Sequence, residues 1–452
     1  MMDETVRRAV ADADQTDEVA VARGALAQTG ALMATWMPGS AALLVADEKT
    51  WAAAGDRTEA SLREAGVPLA EPLVFPGSPT LYASLDNAAR IREAIVAADQ
   101  ATGTRVTPVA VGAGTLNDLV KMAAHELERR YVVVGTAASM DGYTGAGAPM
   151  SSNGVKITVN CTAPQVVVFD LEVTARAPQW MVASGYGDLA AKIPGGADWI
   201  LADAAGVEPI DEHVWSLVQS GVRDALAHPT ELAAGAPEAF EGLVNGLVLS
   251  GLAMQVHGGT RPASGAEHYF SHIWELDHLG ADDDPPLSHG FKVAIGTLAM
   301  LAFYEPFMAR GLADLDVDAA VDAWPSWQAV EADIRATFTG PLADHAVKET
   351  KVKYVDPDGL RARLETLKAT WPRTRERLAA QLVPAADFQA QLRAAGSPSR
   401  PEDIGLSVQQ LRETFPKAMY YRSRYTVLDV AREAGWFDEL VEQTFAPGGI
   451  WG

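Results

Sequence analysis

Residues Thr107–Asp118 read TPVAVGAGTLND. The run Thr107–Val111 is short, apolar and bounded by glycine, which predicts a strand buried on both faces. Gly112 and Gly114 then mark a strand-to-helix turn, with a helix expected near Asn117 and running over Asn117–Arg129. Glycines at such a turn let a backbone approach a phosphate, and the helix N-terminus offers unpaired N–H groups and partial positive charge. Asn117 occupies the place of the third glycine in G-x-G-x-x-G, so a cofactor loop and a plain tight turn both remain open at this point.

Working outward, similar apolar runs recur at Ala41–Ala46, Leu73–Phe75, Tyr131–Val134, Lys156–Val159 and Gln165–Phe169. Helical spacing over Ser84–Ala97 lies between them. Strands alternating with helices predict a largely parallel sheet covered on both faces. After about Pro178 strand signals fade. Helices are expected at Asp211–Ala227, Pro237–Val256, Ala263–Leu276, Gly290–Phe303, Leu360–Leu382 and Val408–Phe415, with polar connections at Asp282–Ser288 and Ala394–Asp403. The expected division is an α/β domain over 1–177 and an all-α domain over 178–452.

The chain has 452 residues, with 36 Lys and Arg against 59 Asp and Glu, a formal charge of −23. That surface repels phosphate backbones and anionic lipid, so neither nucleic acid nor a membrane surface is an expected partner. An anionic substrate needs a local basic pocket acting against the overall field. The single cysteine, Cys161, forbids an intrachain disulfide and a Cys-rich metal site. The start, MMDETVRRAV, lacks the apolar core of a secretory signal, and no uninterrupted apolar run approaches a membrane span. A cytoplasmic location is expected.

Beyond the glycine turn, five segments carry candidate chemistry. Asp47 follows the AALLVA strand and reads either as a ribose-binding acid or as a solvated loop acid; it precedes the glycine loop, unlike the usual Rossmann order. Gly135–Gly147, GTAASMDGYTGAG, follows the YVVV strand. Thr136 and Ser139 are potential donors, and Asp141 is either a ligand-facing or a capping acid. GYGDLAAK (Gly185–Lys192), SGAEHYFSH (Ser264–His272) and LSHGFK (Leu287–Lys292) supply Asp188, His268, His272 and His289. An aspartate with two histidines suits a divalent first-row metal with a position left for substrate. The i, i+4 pair His268 and His272 is an alternative ligand pair, and satisfied structural histidines are the other reading. Tyr420–Arg424, YYRSR, reads as a basic patch or a solvated helix end.

The segments LLVADEKT, GAGTLNDLVK, TAASMDGYT, GYGDLAAK, ADW, RPASGAEHYFSH, SHGFK and RYTVLD, taken in order from about residue 40 to 435, resemble the sn-glycerol-1-phosphate dehydrogenases. These belong to the superfamily of iron-containing alcohol dehydrogenase, glycerol dehydrogenase and dehydroquinate synthase. The resemblance implies a dehydroquinate synthase-like fold: an α/β N-terminal dinucleotide-binding domain and an all-α C-terminal metal-binding domain, with catalysis between them. It implies Asp188, His268 and His289 as metal ligands, with zinc, nickel or iron as the divalent ion. His272 and Asp141 fall on substrate-contacting positions, and Asp188 on a position touching both metal and substrate. Gly112, Ala113, Gly114, Thr115, Leu116, Asp118, Thr136 and Ser139 fall on dinucleotide contacts, and Asp47 resembles the ribose-binding acid, which favours NAD(H) over NADP(H).

The implied activity is metal-dependent, NAD(P)H-linked reduction of dihydroxyacetone phosphate to sn-glycerol 1-phosphate by a homo-oligomer, a dimer or larger. Lys156, Lys192, Arg261 and Lys292 are candidates for the substrate phosphate. A dehydrogenase of another polyol or polyol phosphate, and a silent nucleotide-binding homologue, are the alternatives. Gly135 stands where the family usually has proline, Gly145 where it usually has serine, and Pro194 falls where a continuous helix is expected. The loop before His289 is longer than usual.

Overall fold

The structure is a computed structural model that describes residues 3–152 and 155–451, without the side chains of residues 152–157. Its contacts divide the chain into two compact units that interleave in sequence. The first comprises Met1–Leu189, His213–Ala263 and Asp282–Gly290; the second comprises Ala190–Glu212, Ser264–Ala281 and Phe291–Gly452.

The first unit is built on strands β1 (Glu18–Ala22), β2 (Ala42–Asp47), β3 (Leu73–Phe75), β4 (Thr107–Gly112), β5 (Val132–Gly135), β6 (Gly147–Ser152), β7 (Val155–Asn160) and β8 (Val166–Asp170). Among the described residues, six form one sheet in the order β1-β8-β5-β4-β2-β3, and every pairing in it is parallel. Residues of β4, β5 and β8 are buried throughout, which is why their sequences run apolar without alternation. Leu44, Val109, Val111, Val132, Val134, Val166 and Val168 pack with Leu26, Met33 and Leu62. Each such burial contributes roughly 1.5–3 kcal/mol relative to exposure.

Two strand readings need correction. The segment at Lys156–Val159 does form a strand, but in a separate antiparallel pair with β6. Its K-I-T-V alternation suits a ribbon with one face toward water rather than a sheet covered on both faces. Strand β1, which sequence reading missed, is only five residues of alternating burial on the sheet edge.

The helices that matter for the site are α1 (Leu85–Thr102), α2 (Gly114–Glu126), α3 (Gln179–Ala190), α4 (Lys192–Ala204), α5 (Pro237–His257), α6 (Ala266–Leu276), α7 (His289–Arg310), α8 (Gly340–Lys353), α9 (Pro357–Gln381), α10 (Val408–Tyr421) and α11 (Val427–Glu433). Helix α2 starts at Gly114, earlier than expected, with Ala113 as its N-cap. The expected helix over Asp211–Ala227 is divided into Glu212–Gln219 and Val222–Ala225. By length and composition α5 and α7 could cross a membrane, but 56% and 78% of their most apolar windows are buried within the protein, as in core helices.

Proline at 194 does interrupt the helix, at Ala191, and the chain restarts as α4 with Pro194 as its third residue. The first four N–H groups of a helix have no intrahelical acceptor, so the missing proton costs nothing there.

Candidate active site

Leaving β2 the chain runs outward to β3, returns to β4 on the other side of β2, and continues to β5. Adjacent strands β2 and β4 are therefore followed by connections that diverge, which is where open parallel sheets leave a crevice at their carboxyl edge. Asp47 ends β2 and the Gly112–Gly114 turn ends β4. The early sequence position of the acid thus follows from strand order. Asp47 Oδ1 accepts from the Thr50 amide at 2.8 Å, and its own amide donates to Thr50 Oγ1 at 3.0 Å, so it also caps a local turn. Ala113–Thr115 are half-buried, and the first turn of α2 has no side-chain cap, leaving its N–H groups for an anion. The glycines themselves answer to packing: a Cβ on Gly112 would meet Leu116 at 2.3 Å, and one on Gly114 would meet Met140 at 2.8 Å.

After β5, the Thr136 amide donates to Gly112 O at 3.1 Å, and the chain enters the Ala137–Gly147 loop. Helix α3 is pressed against this loop at Gly185, where a Cβ would stand 1.9 Å from Ala138 O. Ser184 Oγ donates to Ser139 O at 3.0 Å. One turn further on, Oδ2 of Asp188 accepts the Asp141 amide at 2.9 Å. The Asp141 carboxylate accepts from Ser250 Oγ on α5 at 2.8 Å. Ser139 pairs with Tyr143, whose phenol burial pushes to a higher pKa and which donates to Ala137 O at 2.5 Å.

His289 opens α7 beside Gly290, where a Cβ would lie 2.0 Å from Ser184 O. Only glycine permits this approach to α3, the helix that carries Asp188. Among the described residues one group converges as a metal site would: one ligand atom each of Asp188, His268 and His289 lies within 4.8 Å of the others. Asp188 is fully buried and His268 is 7% exposed. One carboxylate with two imidazoles is a donor set that fits a divalent first-row ion. His272 is not in this group; its ring centroid is 6.0 Å from that of His268, and its Nδ1 lies 3.2 Å from Glu275 Oε2.

His268 is oriented from behind. Its Nδ1 lies 2.9 Å from Oε1 of Glu267, a fully buried carboxylate that also accepts the Gly265 amide at 2.6 Å. With Nδ1–H directed to a carboxylate, Nε2 is the nitrogen that would bind an ion. The start of α6 is held in turn by Asp198, which accepts from the Ala266 amide at 2.8 Å, Tyr304 Oη at 2.7 Å and the Val427 amide at 2.9 Å. Burial, and secondarily the charge of Glu267, push the Asp198 pKa up to about 6. Arg424 donates to both O and Oγ of Ser264, at 2.7 and 2.8 Å. The YYRSR segment is therefore neither a free basic patch nor a solvated helix end: Tyr420 and Tyr421 are buried and Arg424 ties RYTVLD to SGAEH.

Of the phosphate candidates, Lys192, Arg261 and Lys292 are all at least nine-tenths buried. The side chain of Lys156 lies outside the described residues. Asp118 is 3.4 Å from the ammonium of Lys121.

Residues 20–178 match the iron-containing alcohol dehydrogenase family. The chain is 34% identical over 263 residues to the glycerol-1-phosphate dehydrogenase [NAD(P)+] of Halalkalibacterium halodurans, covering 58% of this chain and 64% of that protein. It is 32% identical over 260 residues to the protein of that name from Methanococcoides burtonii, covering 58% of this chain and 68% of that protein. The chain belongs to the glycerol-1-phosphate dehydrogenase family. It spans somewhat under two thirds of the length of the Halalkalibacterium relative. A crystal structure of a probable glycerol dehydrogenase from Sinorhizobium meliloti 1021 superposes with a TM-score of 0.58 at 17% identity, covering 96% of this chain and 98% of that one. A maleylacetate reductase from Rhizobium sp. strain MTP-10005 gives 0.55 at 16%, covering 94% and 96%. These two likenesses concern the fold alone.

Within the glycerol-1-phosphate dehydrogenase family this chain's departures have local causes. Gly135 makes room for Phe169, whose ring would lie 2.2 Å from a Cβ there and packs edge-on against Tyr143 at 4.9 Å. Gly145 faces the Met254 methyl, 3.2 Å from where a Cβ would stand. Sequence reading missed Glu267, Asp198, Arg424, Ser250 and Lys121. Four of these five lie inside quoted motifs, so the signal was present, but nothing in a linear motif distinguishes a ligand from the residue that orients it.

Proposed function

We propose that the chain catalyses metal-dependent, NAD(P)H-linked reduction of dihydroxyacetone phosphate to sn-glycerol 1-phosphate. The observation that carries this reading is the convergence of Asp188, His268 and His289 to within 4.8 Å, in a chain whose relatives bear the name glycerol-1-phosphate dehydrogenase [NAD(P)+].

A divalent ion held by those three side chains would supply Lewis acidity for the substrate carbonyl. A reduced nicotinamide, when bound, would supply the hydride for C2 of the substrate. The chain's own residues do the rest. Glu267 fixes the tautomer of His268 through Nδ1. Asp141, anchored by Ser250, orients a substrate hydroxyl. His272, partly exposed and paired with Glu275, delivers the proton that completes the alcohol. Ala113–Thr115 and the first turn of α2 take the cofactor pyrophosphate. Asp47 accepts from the ribose diol and disfavours a 2′-phosphate, which points to NAD(H).

The test is NADH and NADPH oxidation with dihydroxyacetone phosphate, with and without a chelator, and again with His268→Ala. Chelator-sensitive turnover that His268→Ala abolishes is expected. Turnover unchanged in the variant removes His268 from the site. Turnover only with other polyol ketones moves the substrate assignment, and nucleotide binding without turnover on any of them identifies a silent homologue.

A further inference from the structure

Lys121 stands about two turns into α2, the helix that follows the glycine loop. The side chain is fully buried. Its ammonium donates to Gly142 O at 2.9 Å and to Gly147 O at 2.9 Å, and approaches Asp118 Oδ1 at 3.4 Å. Three donors thus meet three acceptors, which leaves none for a phosphate. The two carbonyls bracket the segment that follows Asp141. Asn117 Nδ2 approaches Gly142 O at 3.4 Å, and Tyr131 Oη holds Asn117 Oδ1 at 2.9 Å. From the opposite side, α5 grips the same segment. Thr144 Oγ1 donates to Val248 O at 2.8 Å, Gln255 Nε2 donates to Thr144 O at 2.5 Å, and Gly251 has no room for a Cβ, which would lie 2.1 Å from Thr144 Oγ1.

We propose that Lys121 is a positioning residue: its buried ammonium staples the two ends of the Gly142–Gly147 loop, and thereby sets both the Asp141 side chain and the Asp141 amide that holds Asp188. The roles of Asp141 and Asp188 in this inference rest on the functional reading above. Burial alone lowers the lysine pKa, and the carboxylates of Asp118 and Asp141 counter it. Burying an ammonium is costly, and two backbone carbonyls with one carboxylate repay it only if the loop stays in place. The staple therefore links loop geometry to the ligand set without touching substrate.

Lys121→Met keeps the stem and removes the donors. Zn2+ or Ni2+ titration of metal-stripped protein should show about a tenfold loss of cation affinity, because Asp188 loses its fixed donor. NADH affinity, read by fluorescence, should stay within threefold, and KM for dihydroxyacetone phosphate should rise about tenfold. A tenfold loss of NADH affinity with cation affinity intact overturns the proposal and makes Lys121 a cofactor contact. Unchanged cation and NADH affinities with only a lower Tm also overturn it, leaving a purely structural lysine. The cation and NADH arms hold whether or not wild type reduces dihydroxyacetone phosphate, so they fail separately from the substrate assignment. On the wild-type protein itself, amides of residues 141–148 should exchange with deuterium as slowly as those of β5, and exchange at open-loop rates refutes the staple if the variant does not fold.

Discussion

The backbone amide of Asp141 donates to Oδ2 of Asp188 at 2.9 Å, linking the loop after β5 to the helix that carries a candidate ligand. The donor is main chain, so its hold on Asp188 does not need the Asp141 carboxylate. Asp141→Ala should therefore keep cation affinity within about threefold while costing at least a hundredfold in kcat/KM, of the order expected when a substrate-orienting contact is lost. Asp188→Ala should lose stoichiometric cation altogether. Metal analysis and steady-state kinetics on the two variants check this, and equal loss of cation in both contradicts it.

Glu267 accepts from both the Gly265 amide and the His268 ring through one oxygen. Glu267→Gln keeps an acceptor there but removes its charge, so the imidazole becomes a poorer donor to an ion. Cation affinity should fall by about ten- to a hundredfold, with the fold intact by circular dichroism. Calorimetric titration measures it. An unchanged affinity means that Glu267 serves only to cap α6.

Asp47 has one carboxylate oxygen engaged with the Thr50 amide. Asparagine caps a helical turn as well as aspartate does, so Asp47→Asn removes the charge without removing the cap. The ratio of kcat/KM for NADPH to that for NADH should rise about tenfold or more. A ratio that does not move places the ribose elsewhere.

How much of this was legible depends on whether the signal was local. The buried strands β2, β4, β5 and β8 could be read because burial on both faces writes an apolar run. The strand at Lys156–Val159 was expected in the covered sheet, and its pairing with β6 was not legible because four alternating residues do not reveal their partner strand. The candidate ligands could be listed, yet the backbone approaches at Gly185 and Gly290, beside Asp188 and His289, rest on missing side chains that no periodicity announces. Helical spacing alone left His272 and His289 both open as partners of His268, and it is His289 whose ligand atom lies within 4.8 Å of those of His268 and Asp188. Lys121 shows the limit most clearly. No motif singled it out, and the structure sets its ammonium on two carbonyls more than twenty residues away.

Behind the RYTVLD segment lies a buried ionic cluster: Arg363 with Glu433, the Tyr425 hydroxyl on Glu433 at 2.5 Å, and Lys353 with Asp429 at 2.7 Å. Burial pushes the Glu433 carboxyl up to about 7, even with Arg363 pulling it down. A carboxyl whose folded pKa exceeds its unfolded value near 4.5 contributes stability that is complete below that value. The contribution is then lost as pH climbs through about 7, roughly 3 kcal/mol over the window. Glu433→Gln cannot titrate. The difference in Tm, wild type minus Glu433→Gln, should therefore shrink by several degrees between pH 5 and pH 8. Differential scanning calorimetry of both proteins across that range decides it. Parallel curves would mean that Arg363 keeps Glu433 ionised throughout, and that this cluster holds RYTVLD in place without any response to pH.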